Sequence, residues 1–249
     1  MLFLFILNKF YQNNLEYFFH VNSLRKNSIM LQSVTFKFLK DLKKNNNKPW
    51  FDSNRKIYEA AKADLYLFVD NIILEVSKFD KSIRSLNAKD CVFRINRDIR
   101  FSKDKSPYKT NMGAYIGTGG KKTVGAGYYF HCEPGKSMAG GGLYLPMPPQ
   151  LAKVRQEIDY SFDEWKKIVE SKNFIKYFPG GVQGIEILSR PPKGYDENNP
   201  AIHYLKMKSF IVSRNFTDRE LQGKNALKEV AKTFETMKPM VDFLNKAVG

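Results

Sequence analysis

The chain has 249 residues, 43% hydrophobic and 14% aromatic, with 41 Lys and Arg against 25 Asp and Glu and a formal net charge of +16. That composition excludes a disordered or collagen-like chain, and the length suffices for one large domain or two small ones with a core needing no disulfides. The positive field attracts phosphates, nucleic acid or acidic membrane surfaces; the bland alternative is a solvated Lys-rich surface in an Asn- and Lys-rich sequence.

The opening Met1 to Leu7 is apolar but far too short to span a bilayer. No basic segment precedes it and no small-residue cleavage site follows. Residues 1–29 are expected to be an extension outside the fold, with Met30 the true start, or else a short membrane-surface tether. Residues 30–249 are expected to form a single domain without a transmembrane segment.

Leu31, Val34, Phe38, Leu39 and Leu42 recur at helical spacing and predict a first helix of about three turns. The polar run Lys44 to Pro49 ends it. Asp52, Ser53 and Asn54 offer N-caps for a long helix reaching about Lys78, with Ile57, Ala61, Leu65, Phe68, Ile72, Val76 and Phe79 on its apolar face. From Asp90 to Leu145 the period changes to two. Strands are expected at Cys91 to Phe101, Gly113 to Gly117, Val124 to Cys132 and Ser137 to Leu145. Glu133-Pro134-Gly135-Lys136 reads as a type II turn, because Pro and Gly occupy its central positions. If Glu133 pairs with Lys136, Tyr129 faces Gly140 and Tyr128 faces Gly141. The glycine cluster then suggests either tyrosine rings packed over bare backbone or close approach of a ligand.

A proline-started helix follows at Leu151, Val154 and Ile158. Ser161 with Glu164, and Thr217 with Glu220, read as capping boxes. Residues 173–200 are irregular, a strand near Lys208 to Arg214 joins the sheet, and a last helix through Val230, Phe234, Met237, Val241 and Leu244 is expected to kink at Pro239. The fold class is α+β: one domain, its antiparallel sheet packed against long N-terminal and C-terminal helices.

The densest chemistry lies in Arg94 to Lys109, which holds six cations, Asp98, Asp104 and two serines. As a strand, it puts Phe93, Ile95, Ile99 and Phe101 on one face with Arg97 as the odd member, and Arg94, Asn96, Asp98, Arg100 and Ser102 on the other. Arg94, Arg97, Arg100, Lys105 and Lys109 are the expected anion-binding residues, since guanidinium groups grip phosphate bidentately. The alternative is a lattice in which Asp98 and Asp104 neutralise these cations. Asp98, Tyr108 and His131 are the candidate proton-transfer groups. His131 shares its period-two face with Tyr129 and Glu133. The histidines, His20, His131 and His203, have no metal-ligand spacing, and Cys91 and Cys132 read as buried reduced thiols of a cytoplasmic protein. No P-loop or nucleophile elbow occurs, and the sequence specifies no cofactor.

Several runs resemble an uncharacterised family of bacteria and fungi, defined by the domain of unknown function 2461. They are Asn45-Asn46, Lys48-Pro49-Trp50-Phe51, Asn54-Arg55, Arg97 through Lys109, Gly127-Tyr128-Tyr129, Gly141-Gly142-Leu143-Tyr144 before Pro146, Leu151 with Arg155, and Pro192-Lys193-Gly194-Tyr195-Asp196. The resemblance covers about Leu31 to the C-terminus and implies a single cytoplasmic domain. It supplies no activity. The residues themselves point to an anionic ligand, a phosphorylated metabolite being the leading case, bound with or without catalysis. The competing reading is a non-catalytic nucleic-acid-binding or interaction module that uses the basic surface.

Overall fold

A computed structural model describes residues 29–249. The expectations for the first 28 residues, including the tether, lie outside the described part. The first helices are α1 (Ser33–Lys44), α2 (Lys48–Ser53) and α3 (Arg55–Val76), followed by the helical turn α4 (Ala88–Cys91). The strands β1 (Met112–Ile116), β2 (Gly127–Cys132) and β3 (Ser137–Leu143) come next. Helices α5 (Pro148–Tyr160), α6 (Phe162–Val169), α7 (Lys172–Tyr177) and α8 (Ile202–Leu205) lead to β4 (Phe210–Phe216), α9 (Asp218–Leu221) and the long α10 (Ala226–Val248).

The four strands form one antiparallel sheet in chain order. The turn after β2 has the expected geometry: Lys136 N–H donates to the Glu133 carbonyl at 2.9 Å, and Gly135 has φ 75°. Tyr128 therefore pairs with Gly141 and Tyr129 with Gly140. The atoms nearest to where a β-carbon would stand at those two glycines are not tyrosine ring atoms. A β-carbon on Gly140 would stand 2.1 Å from the Val212 carbonyl oxygen; one on Gly141 would meet the Gly127 carbonyl oxygen at 2.1 Å and the end of Met237 at 2.9 Å. The bare backbone of β3 thus admits its neighbouring strands and α10, a packing role neither expected reading named.

The even-numbered residues of β2 face the helices. Phe130 meets Phe68 of α3 at 5.4 Å between ring centroids, and Tyr128 meets Phe234 of α10 at 5.2 Å. The Tyr128 hydroxyl donates to Asp80 at 2.8 Å, so the buried carboxylate and phenol satisfy each other. Trp165 of α6 closes the far end against Phe243 at 5.1 Å. The odd-numbered residues Tyr129 and His131 face the opposite side, where the sheet is open.

Several local expectations are corrected. Lys48–Ser53 is helical, because Pro49 suits a first helical turn and the Asn47 side chain accepts from Trp50 N–H at 3.0 Å. Asn54 begins α3 but its amide donates back to the Trp50 carbonyl, leaving that N-terminus without a side-chain cap. Ile57 is exposed on α3. The Thr217–Glu220 capping box forms, whereas Ser161 donates to Glu157 instead of capping α6.

The largest correction concerns Cys91 to Phe101. The Asn87–Asp90 capping box winds residues 88–91 into α4. Beyond it the chain makes only isolated bridges, Val92 with Ala114 and Asn96 with Tyr108. Phe101, expected on an apolar face, is 95% exposed, so strand alternation does not govern this segment.

Candidate functional site

Residues 95–97 and 107–109 run side by side as the base of a loop. Arg97 N–H donates to the Pro107 carbonyl at 2.9 Å, and Lys109 N–H to the Ile95 carbonyl at 2.8 Å. Two devices anchor this base. Tyr108 is buried, with its ring stacked on Phe51 at 4.0 Å and 14°. Asn46 brackets the Tyr108 backbone, donating to its carbonyl at 2.9 Å and accepting from its N–H at 3.1 Å. Tyr108 is therefore an anchor of the loop and is not among the residues lining the adjoining cleft.

Within the loop, Arg97 acts as a tie. It donates to Asp104, to the Ser106 carbonyl at 3.2 Å and to Ser102 Oγ at 3.3 Å. Asp104 also accepts from the Ser106 hydroxyl and N–H, and these bonds with Arg97 pull its pKa down to about 2. Arg100 lies outside the cleft and grips both oxygens of Asp98, at 3.0 and 2.7 Å. That pairing holds the Asp98 carboxyl below its ordinary range, which makes it a weak proton acceptor although it borders the cleft. Lys105 donates to the Ile99 carbonyl at 3.1 Å and also lies outside. The five expected anion ligands therefore separate: Arg94, Arg97 and Lys109 come together, whereas Arg100 and Lys105 do not.

The cleft has a volume of about 530 Å³ and lies between this loop and the open face of the sheet. Arg94 and Lys109 supply its charge. The Lys109 ammonium donates to the Arg94 carbonyl at 3.1 Å and sits 5.6 Å from the Phe93 ring centre. Among the described residues neither Arg94 nor Lys109 forms an ion pair with a carboxylate, although the charge of Arg94 is felt at Asp98. Burial, and then the charge of Arg94, lower the pKa of Lys109.

On the sheet wall, Tyr129 Oη lies 3.1 Å from His131 Nδ1, and His131 Nε2 lies 3.2 Å from Glu133 Oε2. With a neutral imidazole, Nε2–H donates to Glu133 and Nδ1 accepts from the phenol. This hydrogen-bonded row reaches the cleft, which both Tyr129 and His131 line. Burial raises the Tyr129 pKa, so the phenol holds its proton. Among the described residues no group of three or more His, Cys, Asp or Glu could hold a metal ion.

Sequence reasoning placed Tyr129 and Glu133 on the face of His131 without counting them as site residues. Asn111 and Phe93, which also line the cleft, carried no signal; the antiparallel pairing of Val92 and Phe93 beside the start of β1 brings them there.

An α+β domain with an antiparallel sheet, one face open beside a cationic cleft, is thus the class this chain represents. The chain belongs to the family described as Conserved hypothetical protein (DUF2461), whose model matches residues 34–243. No curated protein and no solved structure matches it. Among the described residues no helix is long and apolar enough to cross a membrane.

Proposed function

We propose that the protein binds a small anionic ligand, phosphate-bearing in the leading case, in the cleft of Arg94, Arg97 and Lys109. The observation that carries this reading is the placement of Arg94 and Lys109 side by side in the cleft with no ion pair to either among the described residues; burial first, and then the charge of Arg94, lower the Lys109 pKa. Two adjacent cations facing a cleft cost free energy in the empty protein, and an anion removes that cost. Arg97 contributes its edge while its other bonds hold the loop in shape. Asn111 adds a carboxamide with no partner among the described residues.

If the site is also catalytic, Tyr129 and His131, which both line the cleft, are the groups that exchange a proton, with Glu133 behind them. Asp98 is tied to Arg100 and Tyr108 to Phe51, which leaves both poorly suited to that work. The two buried, unpaired cysteines accord with a reducing compartment, which this reading takes to be the cytoplasm.

Titration of inorganic phosphate at low and high salt tests the proposal. A built site saturates at one equivalent with a shallow salt dependence, whereas attraction to a general basic surface falls steeply with salt and favours oligonucleotides. Absence of phosphate binding at low salt defeats the reading.

A further inference from the structure

The cationic cleft adjoins a second, larger one. Phe93 and Tyr129 line both and form a shared wall. The second groove, about 710 Å³, runs across the open sheet face, where it is bordered by Tyr115, Met138, Tyr144, Met147 and Ile211. Tyr144, Met147 and the neighbouring Val124 are largely exposed, an unusual concentration of apolar side chains on a chain this charged. No carboxylate lines the groove. Its one lysine, Lys121, donates to the carbonyls of Lys89 and Val92 at 2.8 and 3.1 Å and is committed to holding the chain. Ser213, an exposed residue lining the groove, has a hydroxyl with no partner among the described residues.

Resting on the anion-site reading, we infer that the ligand is a phosphomonoester with a flat aromatic body of nucleotide size. Its phosphate occupies the Arg94–Lys109 cleft and its ring system lies past Phe93 and Tyr129 in the apolar groove. Charge and polarity divide as such a molecule divides: at one end cations, the bordering Asp98 being held by Arg100, at the other aromatic and aliphatic walls, with the Ser213 and Tyr144 hydroxyls available to ring heteroatoms. Each volume falls within the range of small-molecule sites, and together they suit a mononucleotide better than a bare inorganic anion. Aromatic side chains on an open sheet stack planar rings whatever their substituents.

Binding of inorganic phosphate, 1-naphthyl phosphate, adenosine monophosphate, adenosine and a thymidine 12-mer to the full chain decides the matter. Naphthyl phosphate and adenosine monophosphate are expected to bind at least ten-fold tighter than inorganic phosphate, and adenosine far more weakly than its monophosphate. Tyr144→Ser and Met147→Ser, both at the exposed rim, are expected to bring naphthyl phosphate back toward the affinity of inorganic phosphate. If phosphate binds and an aromatic body adds less than three-fold, the groove inference fails while the anion site stands. If no phosphate compound binds, the anion site itself fails. A 12-mer that binds much tighter than the monophosphate, with a steep salt dependence, overturns the inference in favour of a platform for single strands.

Discussion

The Tyr129 hydroxyl occupies the space that a side chain on Gly113 would fill: a β-carbon there would stand 2.6 Å from the phenol oxygen. The two residues lie on adjacent strands, with Gly113 paired to His131 and Tyr115 to Tyr129. The missing side chain therefore sets where the Tyr129 end of the Tyr129–His131–Glu133 row sits. Gly113→Ala is expected to swing the phenol end aside, at a cost of about 1–3 kcal/mol in stability because only a ring edge must move. The His131 ring resonances should shift and phosphate affinity should drop several-fold. Unchanged His131 resonances in the folded variant would show that the hydroxyl does not hold the imidazole.

Arg94 and Lys109 are expected to act together, and Arg100 apart from them. Alanine at either Arg94 or Lys109 should weaken phosphate at least ten-fold with little change in melting temperature, because neither forms an ion pair among the described residues. Arg100→Ala should leave binding and melting temperature near those of the parent. Its side chain is 76% exposed and that of Asp98 is 47% exposed, so water and salt screen the pair. Loss of binding in Arg100→Ala, with binding retained in Lys109→Ala, would move the site to the outer side of the loop.

Tyr108 separates anchoring from chemistry. Tyr108→Phe keeps the ring on Phe51 and should change neither stability nor binding. Tyr108→Ala removes a buried aromatic ring and should cost about 3–5 kcal/mol. Asn46→Ala strips both bonds from the Tyr108 backbone and should cost about 1–3 kcal/mol. Denaturant unfolding of the three variants checks the series; a stable, inactive Tyr108→Phe would return Tyr108 to the list of reacting groups.

Much of this fold was legible because periodicity and burial agree. The runs from Leu31 and Val230, and the pairing of Tyr128 with Gly141, follow from spacing and from one turn whose glycine needs a positive φ. Cys91 to Phe101 was misread for a physical reason. Its alternation mimics a half-buried strand, but α4 consumes its first residue and the Arg97 ties curl the rest into a loop. That error propagated to the site. A strand face would align Arg94 with Arg100, whereas the loop turns Arg100 outward onto Asp98 and sets Arg94 beside Lys109, fifteen positions away in sequence. The pairing of residues 95–97 with 107–109 carries that information.

The alkaline pH dependence of binding follows from Lys109. Its pKa in the empty protein lies below the ordinary 10.5, chiefly through burial and then through Arg94. A bound anion supplies the opposite charge and raises it, so complex formation takes up protons between the two values and affinity falls as pH rises through the free pKa. Stability of the empty protein moves the other way. In the window below 10.5 the unfolded chain holds the lysine proton more tightly than the native one, so stability rises as pH climbs through the native pKa. Calorimetric phosphate titrations in two buffers of different ionisation enthalpy measure the proton uptake directly. Lys109→Arg keeps a charge that does not titrate in this range and should bind without that uptake. Equal uptake in the parent and in Lys109→Arg would assign the titration to another group and remove Lys109 from the centre of the site.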